Sequence, residues 1–262
     1  MNLALFDLDN TLLHGDSDHA WGEFLVAEGI VDAADFKQRN DVFYRQYSAG
    51  TLDIQAYLQF VLSTIAGKTD GELDSWRLGF MQKRIEAMIH DASWPLLAKH
   101  QDNGDLVAIV TATNAFVTEP IAARLGVAHL IACEVEKRDG RYTGKSTGVP
   151  SFREGKIHRV NAWLEGQGKR IDDFEKSYFY SDSLNDLPLL KLVSHPIAVD
   201  PDDTLRAHAT AHGWPIMSLR NDQGRGQNNG QGRKISPTDT QDKTKSQVQD
   251  QLKVTMQTSN VA

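Results

Sequence analysis

Leu3-Ala4-Leu5-Phe6 runs without a polar break into Asp7-Leu8-Asp9-Asn10-Thr11-Leu12. An unalternating apolar run of this length reads as a strand buried on both faces, the kind that parallel sheets place beneath helices. Such a strand delivers Asp7 and Asp9 to its carboxyl end, where open α/β sheets gather their ligand and catalytic groups. Two neighbouring carboxylates have a physical use there. One can attack an electrophile while the other carries a proton, and together they help hold a divalent cation. A lone Asp-x-Asp is also a common strand-end turn or helix cap, so its meaning depends on the rest of the chain.

Between Asp16 and about Asp91, apolar residues recur at helical spacing: Trp21, Phe24 and Leu25, then Ile54, Tyr57, Leu58, Val61, Leu62 and Ile65. Asp53 is placed to cap the second run. These stripes are read as core, and so are the aromatic residues Trp21, Tyr44 and Tyr47. After Pro95, strands and helices alternate. Leu106–Val110 reads as a buried strand ending at Thr111, and residues 131–135 and 141–143 flank the hairpin signal Asp139-Gly140. A helix is predicted over 154–164, a strand over 177–180 leading to Asp182, a strand over 196–199 and a helix from Thr204 to about His212. The alternation predicts an α/β fold, a Rossmann-like doubly wound parallel sheet whose first strand is separated from the rest by a helical insertion. The expected division is 1–15 and 92–220 for the sheet unit and 16–91 for the insertion. Residues 221–262 lack aromatic residues and are rich in Gln, Gly, Asn, Ser and Thr, so they are expected to form a solvated, disordered tail with at most a short helix over 246–256.

Charge and cysteine usage narrow the partners. A net charge of −7 argues against a nucleic-acid surface. The single cysteine, Cys133, allows no internal disulfide and is consistent with a reducing compartment. No apolar stretch approaches the roughly 20 residues of a spanning helix. The early acids Asp7 and Asp9 interrupt the first apolar run, so no secretory signal is visible and a cytoplasmic location is expected. His208 and His212 have the spacing of a two-histidine metal face, but no third ligand accompanies them in the sequence, and a solvated helix face is expected.

Four features fall at strand ends or helix starts: Asp7 with Asp9, Thr111 in Val110-Thr111-Ala112-Thr113-Asn114, Lys156 in Glu154-Gly155-Lys156-Ile157, and Asp182 with Asp186 in Ser181-Asp182-Ser183-Leu184-Asn185-Asp186. So many carboxylates at one edge repel one another unless a cation sits among them, and an oxygen-rich donor set suits Mg²⁺. A lysine and a threonine beside that metal suit the charge of an incoming phosphoryl group.

This ordered set resembles the haloacid dehalogenase superfamily over roughly residues 3–218, and the insertion resembles the helical cap of its phosphoserine-phosphatase-like branch. The resemblance implies an Mg²⁺-dependent phosphomonoester hydrolase working through an aspartyl-phosphate. It implies Asp7 as nucleophile and Asp9 as the acid and base for the leaving alcohol and for water. It also implies Thr111 and Lys156 at the phosphoryl oxygens. The metal would be held by Asp7, Asp182 and the Asp9 backbone carbonyl, with Asp186 and Asn185 in support. The second aspartate, Asp9, separates the chain from the superfamily's dehalogenases. The missing membrane helices separate it from the ion pumps, and no cap lysine marks a phosphonatase. Phosphoryl transfer to another acceptor, or a non-catalytic binding role on the same fold, stands behind hydrolysis.

For the substrate, the offset that carries an amino-binding acid in phosphoserine phosphatases gives Asp16 here. Arg45 is the nearest candidate for the carboxylate-binding arginine, and His14 lies near the entrance. An amino-bearing phosphomonoester is expected, either histidinol phosphate or phosphoserine.

Overall fold

The computed structural model describes residues 1–220. The expected tail over 221–262, with its short helix over 246–256, lies outside the described residues. The described chain runs β1 (Leu3–Phe6), α1 (Ser17–Ala27), α2 (Ala33–Ser48), α3 (Ile54–Leu62), α4 (Asp70–Phe80), α5 (Glu86–Met88), α6 (Ser93–Asp102), β2 (Leu106–Asn114), α7 (Ala115–Arg124), β3 (His129–Arg138), β4 (Arg141–Thr147), α8 (Glu154–Glu165), β5 (Ser177–Ser181), α9 (Leu187–Leu190), β6 (His195–Val199), α10 (Asp203–His212) and β7 (Ile216–Met217). A π-helical stretch, Met81–Ile85, joins α4 to α5.

The seven strands form one sheet in the order β4-β3-β2-β1-β5-β6-β7. All pairings are parallel except β3 with β4, the antiparallel edge hairpin turning at Asp139-Gly140. β1 lies in the middle, with Leu3 beside Leu106 of β2 and Ser177 of β5. All four β1 residues are buried, as its unbroken apolar text requires. Strand alternation sends Ala4 and Phe6 into one core with Phe24, Leu25, Ile109 and Phe116. Leu3 and Leu5 enter a second core with Val110, Val160, Leu164 and Phe179 on the opposite face. The chain moves outward from β1 through β2, β3 and β4, then returns to the other side of β1. That reversal opens a crevice at the carboxyl ends of the strands.

The helical text between β1 and β2 forms α1 to α5, each of the first three starting at an aspartate. Asp16, Asp32 and Asp53 accept backbone amides from the first turns of α1, α2 and α3. Trp21 is buried among Phe24, Phe80 and Phe116, as expected. Two stretches link these helices to the sheet, and they run side by side. Leu13 bridges Ile89, the His90 amide donates to Leu12 O at 3.2 Å, and Ser93 Oγ donates to the same carbonyl at 2.8 Å. The helices also rest on the edge hairpin, where Tyr142 OH donates to Asp70 at 2.6 Å.

Several boundaries differ from the sequence expectation: β3 and β4 run beyond 131–135 and 141–143, and the short β7 is unexpected. β2 continues past Thr111 to Asn114, with a register irregularity against β3 between Val110 and Asn114. Asn114 then caps α7 through the Val117 amide. Threonines are good strand residues, and nothing in Thr111-Ala112-Thr113 stops the strand before the cap. His208 and His212 stack on each other at 3.9 Å beside Trp214. Among the described residues no cluster of His, Cys, Asp and Glu forms a ready cage for a metal, and no helix is long and apolar enough to cross a membrane.

Candidate active site

The carboxyl edge of the sheet brings Asp7, Asp9, Thr111, Lys156, Asp182 and Asp186 together from four separate segments. Asp7 follows β1 directly, its amide donating to Tyr180 O of β5 at 2.9 Å. Lys156 projects from the first turn of α8 and is buried, its Nζ donating to Asp7 Oδ1 at 2.8 Å and to Asp186 at 2.7 Å. Asp186 also accepts from Ser181 Oγ at 2.7 Å. The result is one buried cation between two buried carboxylates. Burial alone would lower the lysine's proton affinity, but Asp186 and Asp7 outweigh it and hold the ammonium charged.

The start of α8 is shaped by backbone. Arg153, before the helix, has φ 51° and ψ −123°, a conformation few non-glycine residues adopt. A side chain at Gly155 would meet the Pro150 carbonyl at 2.0 Å, so only glycine lets α8 start here. Lys156 is the next residue.

Asp7 keeps its second oxygen, Oδ2, buried and without a protein partner. Burial pushes its pKa up to about 7, with Lys156 pulling it back and Asp186 raising it. Asp182 lies alongside, accepting from Thr11 Oγ1 at 3.1 Å. Burial holds its carboxyl well above the usual range, and Asp7 and Asp186 raise it further.

Asp9 is turned the other way. Its Oδ1 accepts the Ser17 amide at 2.6 Å, and Oδ2 accepts Thr113 Oγ1 at 2.8 Å and, more weakly, Thr111 Oγ1 at 3.4 Å. Burial and the nearby Asp16 push its pKa up to about 6, against the lowering effect of those hydrogen bonds.

Asp7, Asp9, Thr111 and Thr113 share one cavity with the helical side of the molecule. Its helical wall includes Asp16, Asp18, His19, Asn40, Tyr44 and Tyr57. Tyr44 and Tyr47 therefore face the cavity instead of the core expected of them; Tyr44 is 38% exposed. They sit on the α2 face turned toward the sheet edge, which helical periodicity alone cannot tell from a core face.

Asp16 caps α1 by accepting the His19 amide at 2.8 Å and lines the cavity. His14 is exposed and lines a neighbouring open cleft that shares Asp16, His19 and Tyr44 with the first. Arg45 is exposed on α2 and lines neither, so the structure does not bring the expected arginine to the site. Asn185 is buried and donates to Tyr47 O at 3.1 Å while accepting from Arg153 Nε at 3.2 Å; Arg153 also donates to Gly50 O. Asn185 thus ties the sheet edge to the end of α2. Sequence reasoning missed Thr113, although it falls two residues after Thr111 and so on the same face of an extended strand. It also missed Asp18, two residues after Asp16 in the first turn of α1, and Asn40.

Residues 4–191 match the haloacid dehalogenase-like hydrolase family. The chain is 44% identical over 220 residues to a histidinol-phosphatase of Neisseria meningitidis serogroup C (strain 8013), covering 84% of this chain and 99% of the relative. It is 31% identical over 220 residues to a phosphoserine phosphatase of Mycobacterium tuberculosis (strain ATCC 25618 / H37Rv), covering 83% and 70%. A crystal structure of a protein of unknown function from Bordetella pertussis Tohama I superposes with a TM-score of 0.79 at 48% identity, covering 83% of this chain and 98% of that one. A substrate-bound phosphoserine phosphatase shares the fold, with a TM-score of 0.59 at 17% identity, covering 84% and 93%. The chain belongs to the haloacid dehalogenase-like hydrolases and is a phosphatase of that type.

Proposed function

We propose that the chain hydrolyses a small amino-bearing phosphomonoester in two steps on Asp7, with Mg²⁺ as its metal. The observation that carries this is Asp7, joined through buried Lys156 to Asp186, lining one cavity with Asp9 and Thr111. In the first step an Asp7 carboxylate oxygen bonds to phosphorus as the phosphorus–alcohol bond breaks. The leaving oxygen takes its proton from Asp9, whose pKa of about 6 keeps it near its working range. In the second step Asp9 accepts a proton from water. The water oxygen bonds to phosphorus, the bond to Asp7 breaks, and inorganic phosphate leaves. Lys156 holds Asp7 in place and offsets phosphoryl charge, and Thr111 presents a hydroxyl at the same edge.

Phosphatases of this family generally use Mg²⁺. The residues here fit it: Asp7 Oδ2 is buried without a partner, Asp182 is a neighbouring carboxylate, and the Asp9 carbonyl completes an all-oxygen set. Two carboxylates with retained waters is how Mg²⁺ is commonly held. Bound there, the cation supplies charge neutralisation for the phosphoryl group. Asp186 and Asn185 support the set from behind.

In this reading the helices over 16–91 form the cap that covers the substrate, and the sheet unit is 1–15 with 92–220. Asp16 receives the amino group. The relative of N. meningitidis is a histidinol-phosphatase, and Arg45 stands outside the cavity, so histidinol phosphate is favoured over phosphoserine. A cytoplasmic setting fits the lone thiol, Cys133, which is buried, with its pKa raised by burial to about 12.

The test is phosphate release from histidinol phosphate, phosphoserine and simple phosphoesters, with Mg²⁺ and with chelator. Metal-dependent release with histidinol phosphate preferred is expected. Release that ignores chelator, or a folded protein that releases nothing, overturns the proposal.

A further inference from the structure

The helical wall of the cavity contains a carboxylate that the phosphate chemistry leaves unused. Asp18, in the first turn of α1, is 3% exposed. Its Oδ1 accepts from Asn114 Nδ2 at 3.2 Å. Its Oδ2 is buried in a residue that lines the cavity, with the Tyr57 hydroxyl the nearest donor to the carboxylate but no well-aligned hydrogen bond to that oxygen. An acceptor left in that state costs free energy until a donor reaches it. Burial raises the proton affinity of Asp18, Asp16 and Asp9 add to that, and the Tyr57 hydroxyl opposes it.

The remaining wall says what carries the donor. Phe43, Tyr44 and Tyr57 supply aromatic surface, which suits a flat ring. No lysine or arginine lines the cavity among the described residues. A substrate carboxylate would meet Asp16 and Asp18 with no counter-ion, a repulsive arrangement that excludes as well as selects.

We propose that Asp18 is a specificity-determining residue that accepts an N–H from a nitrogen heteroaromatic ring on the substrate, while Asp16 takes the amine. The substrate class is then a phosphomonoester with an amine, an N–H-bearing ring and no carboxylate. The assignment rests on the phosphatase reading above and adds a subsite to it.

The experiment compares wild type with Asp18→Asn and Asp18→Leu on histidinol phosphate and p-nitrophenyl phosphate, and measures histidinol binding by calorimetry. The ratio of kcat/KM for histidinol phosphate over p-nitrophenyl phosphate should fall about 10²-fold in Asp18→Leu and less in Asp18→Asn. Histidinol binding should weaken in the same order. An equal loss on both substrates, or unchanged histidinol binding in a folded variant, overturns the assignment. Should neither variant fold, wild type decides. Histidinol should inhibit p-nitrophenyl phosphate hydrolysis about tenfold better than analogues methylated on either ring nitrogen, and equal inhibition overturns the assignment. A wild type that binds histidinol through Asp18 yet hydrolyses nothing overturns the phosphatase reading alone.

Discussion

The two walls of the cavity are built on opposite principles. At the sheet edge the charged groups answer one another: Lys156 lies between Asp7 and Asp186, Ser181 donates to Asp186, and Ser17 and Thr113 hold Asp9. On the helical wall the acids have only neutral partners, Asp16 the amides of its own first turn and Asp18 the side chains of Asn114 and Tyr57. No cationic side chain of the sheet-edge kind faces them among the described residues lining the cavity. The first wall is organised before a ligand arrives, as transition-state stabilisation requires. The second, in the proposed reading, is completed by the ligand. Damage to the edge should therefore cost turnover and fold stability, and damage to the helical wall should cost affinity.

The largest effect should come from Asp7→Asn, which removes the carboxylate proposed to attack phosphorus. Phosphate release should fall about 10⁴-fold or more, while circular dichroism stays that of the native fold. Appreciable turnover in this variant would break the comparison at its foundation. Lys156→Met comes next, because it leaves Asp7 and Asp186 buried without their cation. Urea denaturation should show a loss of about 3–5 kcal/mol, far beyond that of Asp16→Asn. Equal losses from the two would erase the distinction between the walls.

Arg153→Ala tests the tie between the walls, since Arg153 reaches both Asn185 and Gly50. KM should rise several-fold with kcat little changed, read from steady-state kinetics. A fall confined to kcat would mean that Arg153 serves Lys156 and not the helical wall.

The smallest effect is in the pH dependence of the metal-free protein. Folded Asp7 titrates at about 7 and Asp9 at about 6, against 3.8 for a free aspartate. Below about pH 4 both carboxyls are protonated in either state and cost nothing. As pH rises to about 7 the unfolded chain gives up its protons first, so these two residues lower stability progressively. Added Mg²⁺ should raise the melting temperature by a few degrees more at about pH 8 than at about pH 5. A larger rise on the acid side would contradict the assignment of Asp7 to the metal.

Legibility in the sequence divides along the same line. β1, the later strands and the order of Asp7, Thr111, Lys156 and Asp182 are readable because each sits at a strand end or helix start, where short-range pattern fixes position. The extensions of β2, β3 and β4 and the two-residue β7 escape there, and Thr113 goes with the first. The helices over 16–91 are visible as helices, but which face of α2 turns toward the sheet depends on tertiary packing. The sequence therefore reads Tyr44 and Tyr47 as core, and the family resemblance offers Arg45 as a site candidate; packing turns the tyrosines to the cavity and leaves Arg45 outside it. Asp18 escapes because an acid in a first turn is also the commonest ornament of a helix start.

The place of β1 has a consequence for how the molecule is made. Its two neighbours lie far along the chain, so Leu3 waits for Leu106 and then for Ser177 before it is flanked. Such long-range pairings are slow, and an unpartnered apolar strand is a hazard while it waits. On the ribosome Asp7 and Asp9 emerge ahead of Lys156, Asp182 and the strands that flank β1, so they have no lysine and no sheet to stand on. A half-made chain is chemically silent, and hydrolysis begins only when β5 closes against β1.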